Sequence, residues 1–179
     1  MTYEVANFMQ TISLGVYVVG VCDGRGTNAF TASSVVPVSF KPVMVAVAVG
    51  TDHASRPTLH AGRAFTINVL KRDQVDLASH FGRVSGRVAN KLGGVRWRPG
   101  VSGAPILLDA LAYIECELAS GVVAGDHELV VGRVIDGGVL AADELPLLYR
   151  DTRNLDGARD LYPPQMADAV RAHPFTVRC

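Results

Sequence analysis

Cysteine is scarce in this chain. There are three among 179 residues, Cys22, Cys116 and Cys179, with no Cys-x-x-Cys pair. An odd, scattered set excludes a disulfide framework and a local thiolate metal or redox motif, and it suits a reducing cytoplasm. Cys22 and Cys116 fall in strand-like runs and read as small core residues, whereas Cys179, at the end, reads as exposed. Net charge is absent too, since Lys+Arg and Asp+Glu each number 17. Nothing steers such a surface toward polyanions, so no nucleic-acid partner is expected. The apolar run Val43 to Val49 is far shorter than the about 20 residues a membrane helix needs. Met1 to Asn7 shows no basic stretch leading into an apolar one, so no secretory signal and no membrane partner are expected.

Hydrolytic and metal signatures are missing as well. There is no Gly-x-Ser-x-Gly, no His-Glu-x-x-His and no pair of carboxylates in a local catalytic signature. The five histidines (His53, His60, His80, His127 and His173) never fall four apart on one helix, which leaves a metal site unsupported. Neither an internal repeat nor a domain linker is visible.

What is present is a chain 49% hydrophobic, of a length that suits one domain with a sizeable core. Residues 29 to 50 organise it. Thr31-Ala32-Ser33-Ser34 is a small polar patch that leads, through a connection punctuated by Pro37 and Pro42, into Val43 to Val49. The valines and the closing Gly50 make that run a strand buried on both faces. The patch then sits at the lip of a buried sheet, where hydroxyls and backbone N–H groups are free to bind a ligand.

Before it, Val5, Phe8, Met9 and Ile12 recur at helical spacing and predict a short helix over Glu4 to Ile12. Gly15 to Cys22 reads as a strand, Asp23 to Gly26 as a turn and Asn28 to Ser33 as the return strand. Gly24, Gly26 and Ala29 match a dinucleotide fingerprint in outline. That fingerprint needs a helix N-terminus to hold the pyrophosphate, and Phe30 to Pro37 is poor helix sequence, so a plain hairpin is the reading.

After the central strand comes the polar loop Thr51 to Thr58, in which Ser55 can cap a short helix with Pro57 in its first turn. With Arg56 beside it, a phosphate site is physically reasonable, and a solvated loop with an ordinary cap accounts for the same residues. Ala64 to Leu70 alternates as a strand, and Val75, Leu77, Ala78 and Phe81 predict an amphipathic helix over Arg72 to Gly82. Residues 83 to 105 read as one long surface loop, with Trp97 either a core anchor or part of a ligand lid. Leu111 to Leu118 and Glu128 to Val134 are strands joined by residues 119 to 127. Asp136-Gly137-Gly138 is a turn, and Pro146 to Tyr149 a last short strand. In Gly125-Asp126-His127, the histidine either points to solvent or serves a site. The pattern predicts a mainly β fold, an antiparallel barrel with helical covers. Residues 1–151 form its domain and residues 152–179 a C-terminal arm of unknown role, with a helix over Met166 to Ala172.

Thr31-Ala32-Ser33-Ser34 followed by Ser39-Phe40-Lys41-Pro42-Val43-Met44-Val45 resembles the flavin-binding segment of the flavin reductase-like, FMN-binding split-barrel family. Four further motifs stand in that family's order. They are Phe65-x-x-Asn68-x-Leu70, Gln74-x-x-Leu77-x-x-x-Phe81, Gly125-Asp126-His127 and Pro146-Leu147-Leu148-Tyr149. The resemblance covers roughly residues 8 to 150. The chain departs from it at Leu14, where the family usually has threonine before Gly-Val, and at Pro57.

The resemblance implies a split antiparallel β-barrel of the FMN-binding type. It implies FMN (or FAD) as flavin, NADH or NADPH as hydride donor, and a partner monooxygenase fed by reduced flavin. A flavin-binding electron carrier or storage protein on the same barrel is the alternative. Carried over by position, Thr31, Ala32, Ser33 and Ser34 would line the flavin ring and ribityl chain. Ser55 and Arg56 would meet the phosphate, with Phe81, Gly82 and Arg83 closing that side. His127 would stand near the nicotinamide as the catalytic residue. The family also implies a homodimer with flavin where the subunits meet. Hydride transfer needs stacking and positioning rather than a nucleophile, which agrees with the missing hydrolytic motifs.

Overall fold

The computed structural model describes residues 5–83, 90–155 and 157–164. Helix α1 (Val5–Met9) leads to strand β1 (Tyr17–Cys22), which turns back into β2 (Thr27–Ala32). Asp23 Oδ1 accepts the backbone N–H groups of Arg25 and Gly26, both at 3.0 Å, and Gly24 takes φ 80°. The Gly-rich segment is therefore a hairpin turn. Next come β3 (Val35–Phe40), β4 (Val43–Gly50), α2 (Arg56–Gly62), β5 (Ala64–Val69) and α3 (Val75–Arg83). β6 (Trp97–Pro99) and β7 (Pro105–Leu107) form a small ladder, and β8 (Ala112–Ala124) and β9 (His127–Val139) a long hairpin.

Seven strands make one antiparallel sheet in the order β2-β1-β5-β8-β9-β4-β3. The sheet curls until β2 lies beside β4 without a ladder between them. The result is the expected split barrel, open along one seam. Alternation along each strand sends one set of side chains inward and the other outward. Phe30, Val47, Phe65, Ile67 and Val130 pack in the barrel interior. Ala29 of β2 faces the other way, into a second cluster with Val18, Ala78, Phe81 and Leu147 that seats α3 on the outside of β1 and β2.

Asn68 explains the Phe65-x-x-Asn68-x-Leu70 motif in physical terms. It is fully buried, and its Nδ2 donates to Val18 O at 3.0 Å and Pro105 O at 3.2 Å, while Oδ1 accepts Leu107 N–H at 2.7 Å. One amide thus ties β1, β5 and β7 together, because a buried polar group must find partners. Glu115 does similar work at the 100–102 loop. Its carboxylate, fully buried, accepts Val101 N–H at 3.0 Å and Ser102 N–H at 2.6 Å.

Several expectations change. The connection through Pro37 and Pro42 is itself a strand, β3, at the sheet edge with a bulge between Pro37 and Ser39. Pro37 removes a ladder donor, which an edge or a bulge tolerates. Residues 119–127 are not a long connection, because β8 and β9 continue to the two-residue turn Gly125-Asp126, with Gly125 at φ 66°. Asp136 to Gly138 lies within β9, and the loop expected over 83–105 holds β6 and β7, with residues 84–89 outside the described set. Trp97 packs against the α3 cluster and is a core anchor. Pro146 to Tyr149 is no strand but two isolated bridges, Lys71 to Pro146 and Gly15 to Leu148, before a 3-10 turn at Tyr149–Thr152. On β4, Val45, Val47 and Val49 fill the core, whereas Val43 is 54% exposed and Met44 and Ala48 only half-buried. The helix expected at 166–172 and Cys179 lie outside the described residues.

Candidate functional site

The barrel's open seam carries most of the residues singled out by sequence. At one end, the chain leaves β2 at Ala32, passes Ser33 and Ser34 and enters β3. Ser34 O accepts Ala48 N–H, and Ser33 O accepts Val35 N–H, both at 3.0 Å. Among the described residues the two serine hydroxyls have no partner. Midway, the His53 ring lies 4.5 Å from that of Phe30. At the far end, Asn28 Nδ2 donates to Ser55 Oγ at 3.1 Å. Asn28 and Ser34 are six positions apart, so the seam runs about 20 Å at the rise of an extended chain.

Thr31 sits beside the end of α3. Its hydroxyl donates to Ala78 O at 2.7 Å, so it fastens the helix to β2 instead of presenting a free donor. Ala32 is buried on the barrel side. Gly82 and Arg83 are exposed at the helix end, and Arg83 Nε donates to Leu155 O at 2.9 Å. The Leu155 side chain closes on Gly82 from one side and Thr31 from the other, each 3.5 Å from where a Gly82 Cβ would stand. Phe81 is 1% exposed and belongs to the core, so only its backbone is available to a ligand. Behind it, buried Lys91 donates from Nζ to Phe81 O at 2.9 Å and holds the helix end in place. Burial pulls the Lys91 amine down to about 8.

The α2 residues are committed differently from expectation. Ser55 stands at the N-cap position with helical dihedrals, and its side chain caps nothing, being taken by Asn28. Arg56 Nε donates to Glu128 Oε2 at 2.5 Å, and the same oxygen takes His60 Nε2 at 2.9 Å. Burial alone pushes the Glu128 carboxyl up, but the hydrogen bonds and charges of His60 and Arg56 outweigh it and hold the group below its usual range. Arg56 is thus neutralised by a carboxylate that no local motif announces. Glu128 and Asn28 are the residues that reading the sequence missed. Their signal was only that each polar side chain falls on a barrel-facing or seam position of a strand.

His127 opens β9 opposite Gly50 of β4. Its side chain is 49% exposed, with Nδ1 2.8 Å from Asp126 Oδ1. The imidazole beside it holds the Asp126 carboxyl below its ordinary value. By alternation His127 shares the outer face of the sheet with Leu129 and Val131, and through the ladder with Ala48 and Ala46 of β4 and Val36 of β3. Ser34 and His127 therefore flank the same end of β4, one from each side.

A flavin fits this arrangement, since the open, elongated edge carries two hydroxyls that have no partner among the described residues, and an exposed arginine stands at the end of α3. Among the described residues no cluster of His, Cys, Asp or Glu could hold a metal, and no helix is long and apolar enough to cross a membrane.

The flavin reductase like domain matches residues 9–157. A putative diflavin flavoprotein A 3 of Nostoc sp. is 36% identical over 139 residues, which is 77% of this chain but 24% of that protein. The chain thus spans about a quarter of that relative's length. Among solved structures, the NADH:FAD oxidoreductase of Streptomyces globisporus superposes with a TM-score of 0.74 at 31% identity, covering 79% of this chain and 84% of that one. The FMN-binding protein of Thermus thermophilus, with bound p-hydroxybenzaldehyde, gives a TM-score of 0.72 at 30% identity, covering 77% and 82%. With the domain matched across most of its length and the split barrel in common, the chain belongs to the flavin reductase like domain family.

Proposed function

We propose that the chain is an NAD(P)H-dependent flavin reductase, which moves hydride from NADH or NADPH to FMN or FAD and hands the reduced flavin to a separate monooxygenase in the cytoplasm. The observation that carries this is that Ser33 and Ser34, whose hydroxyls have no partner among the described residues, lie at the end of β4 that His127 flanks from its other side. When bound, the flavin supplies the hydride-accepting chemistry. Ser33 and Ser34, with the nearby backbone, orient the ring edge by hydrogen bonds. Arg83 offers positive charge at the helix end. His127, held by Asp126 at the end of β4, positions the nicotinamide carboxamide. No residue here needs to act as a nucleophile, because proximity and alignment are what hydride transfer requires.

The outer face of β3, β4, β9 and the end of β8 supports a two-fold dimer. Val36 is 50% exposed, Val122 63% and Leu129 38%, and they share that face with Ala46 and Ala48. A second copy would cover this apolar surface and enclose the seam, burying one patch twice. The dimer would weigh about 38 kDa, twice the 19.0 kDa chain, and would persist at micromolar concentration. Sedimentation at low micromolar concentration tests it, and a 19.0 kDa species with full flavin affinity overturns it.

The likeness to an FMN-binding protein favours a second reading, a flavin carrier without turnover. Mixing the protein with NADH or NADPH and each flavin, while following nicotinamide absorbance, separates the two. Sustained oxidation supports the reductase, and a single stoichiometric reduction, or none, supports the carrier.

A further inference from the structure

The seam does not stop at Ser55. Beyond the Asn28–Ser55 hydrogen bond it opens into a groove of about 340 Å³, lined by Asp23, Arg25, Thr27, Asn28, Ala54 and Thr58. That volume is at the scale of small-molecule sites, about 300–1,000 Å³. The β1–β2 turn forms one wall and leaves room around itself. Apart from the adjoining residues of the turn, no described atom lies within 4 Å of where a Cβ on Gly24 or Gly26 would stand. Asp23 is held in the turn through Oδ1, and those backbone hydrogen bonds keep its carboxyl below the ordinary value, so it stays anionic. The groove therefore offers one guanidinium, one carboxylate and the hydroxyls of Thr27 and Thr58.

We propose that this groove is the adenylate half of the flavin site, so that the chain takes FAD in preference to FMN; the proposal rests on the reading of the seam as the flavin site. A flavin laid along the seam, ring toward Ser33 and Ser34, brings its phosphate to Ser55. The cation next to that point, Arg56, is already paired with Glu128, so a terminal phosphate finds no uncommitted charge on α2. FMN ends there. FAD continues with a second phosphate, a ribose and an adenine. Arg25 is placed to meet that phosphate with a guanidinium fork. Asp23 is placed for the ribose hydroxyls, as carboxylates serve in other nucleotide sites.

The test is equilibrium binding of FAD and of FMN, followed by flavin fluorescence, to the wild-type chain and to Arg25→Ala, Thr58→Val and Ser33→Val/Ser34→Val. The wild type is expected to bind FAD about tenfold more tightly than FMN. Arg25→Ala should weaken FAD about three- to tenfold and leave FMN within about twofold. Thr58→Val should act in the same direction, more weakly. Equal or tighter binding of FMN by the wild type overturns the proposal, as does an Arg25→Ala change that weakens both flavins alike or neither. If the double serine variant leaves both flavins untouched while Arg25→Ala still acts on FAD alone, the groove stands and the seam reading falls. If neither variant changes anything, both fall.

Discussion

Arg56 and Glu128 form an ion pair across 72 residues of sequence, Nε to Oε2 at 2.5 Å, with the Glu128 side chain 6% exposed and that of Arg56 33% exposed. This pair converts a residue that sequence assigned to phosphate into a clamp between α2 and β9.

The first prediction follows from that clamp. Arg56→Ala should lower unfolding stability by about 1–3 kcal/mol, because it strips one partner from a buried carboxylate that keeps His60. Flavin affinity should change far less. Since the folded Glu128 carboxyl lies below its unfolded value, its contribution is present above that unfolded pKa, about 4.3, and fades as pH falls through the folded one. Urea unfolding of wild type against Glu128→Gln should show the difference shrinking below about pH 4. A large loss of flavin affinity at intact stability would return Arg56 to the phosphate.

Ser33 and Ser34 carry the second. Replacing both with Val removes two hydrogen bonds of about 0.5–1.5 kcal/mol each and should weaken flavin binding about tenfold or more. Circular dichroism should show an unchanged fold, because neither hydroxyl has a partner among the described residues. Unchanged affinity in fluorescence quenching would remove this stretch from the site.

The third concerns His127. His127→Ala should raise the KM for NADH or NADPH and slow flavin reduction, with flavin affinity nearly unaltered. Stopped-flow reduction and flavin titration together decide it. Collapse of flavin affinity, or no change in either, would contradict a role toward the nicotinamide.

Lys91 gives the fourth, through pH. Its amine is lowered to about 8 by burial, while the unfolded chain holds that proton to about 10.4. Between those values the unfolded state binds more protons, so Lys91 adds stability as pH rises. The Cys116 thiol, pushed up to about 12 by burial and by Glu115, works in the opposite direction over that range. It is common to both proteins in a comparison of wild type with Lys91→Met. The stability difference should therefore shift in favour of the wild type from pH 8 to about 10.4, read by urea unfolding. A flat difference would mean that the folded amine holds its proton as firmly as the unfolded one.

What the sequence by itself determined is local. Valine-rich apolar runs marked β1 and β4, alternation marked β5, helical spacing marked α3, and Asp23 to Gly26 marked its turn, because side-chain direction and turn chemistry depend on neighbours a few residues away. The motif order also sufficed to place the family and the seam's polar end. Tertiary structure decided the rest. β3 is a strand because β4 offers it a ladder, although Pro37 argues against one locally. Phe81 turned inward because α3 needs a core. Thr31 spent its hydroxyl on Ala78, and Arg56 its guanidinium on Glu128, because each partner lies far along the chain and is brought near only when the sheet curls. A polar side chain's residue type tells what it can bond. Which partner it meets is set by the long-range register of strands, and no local pattern encodes that.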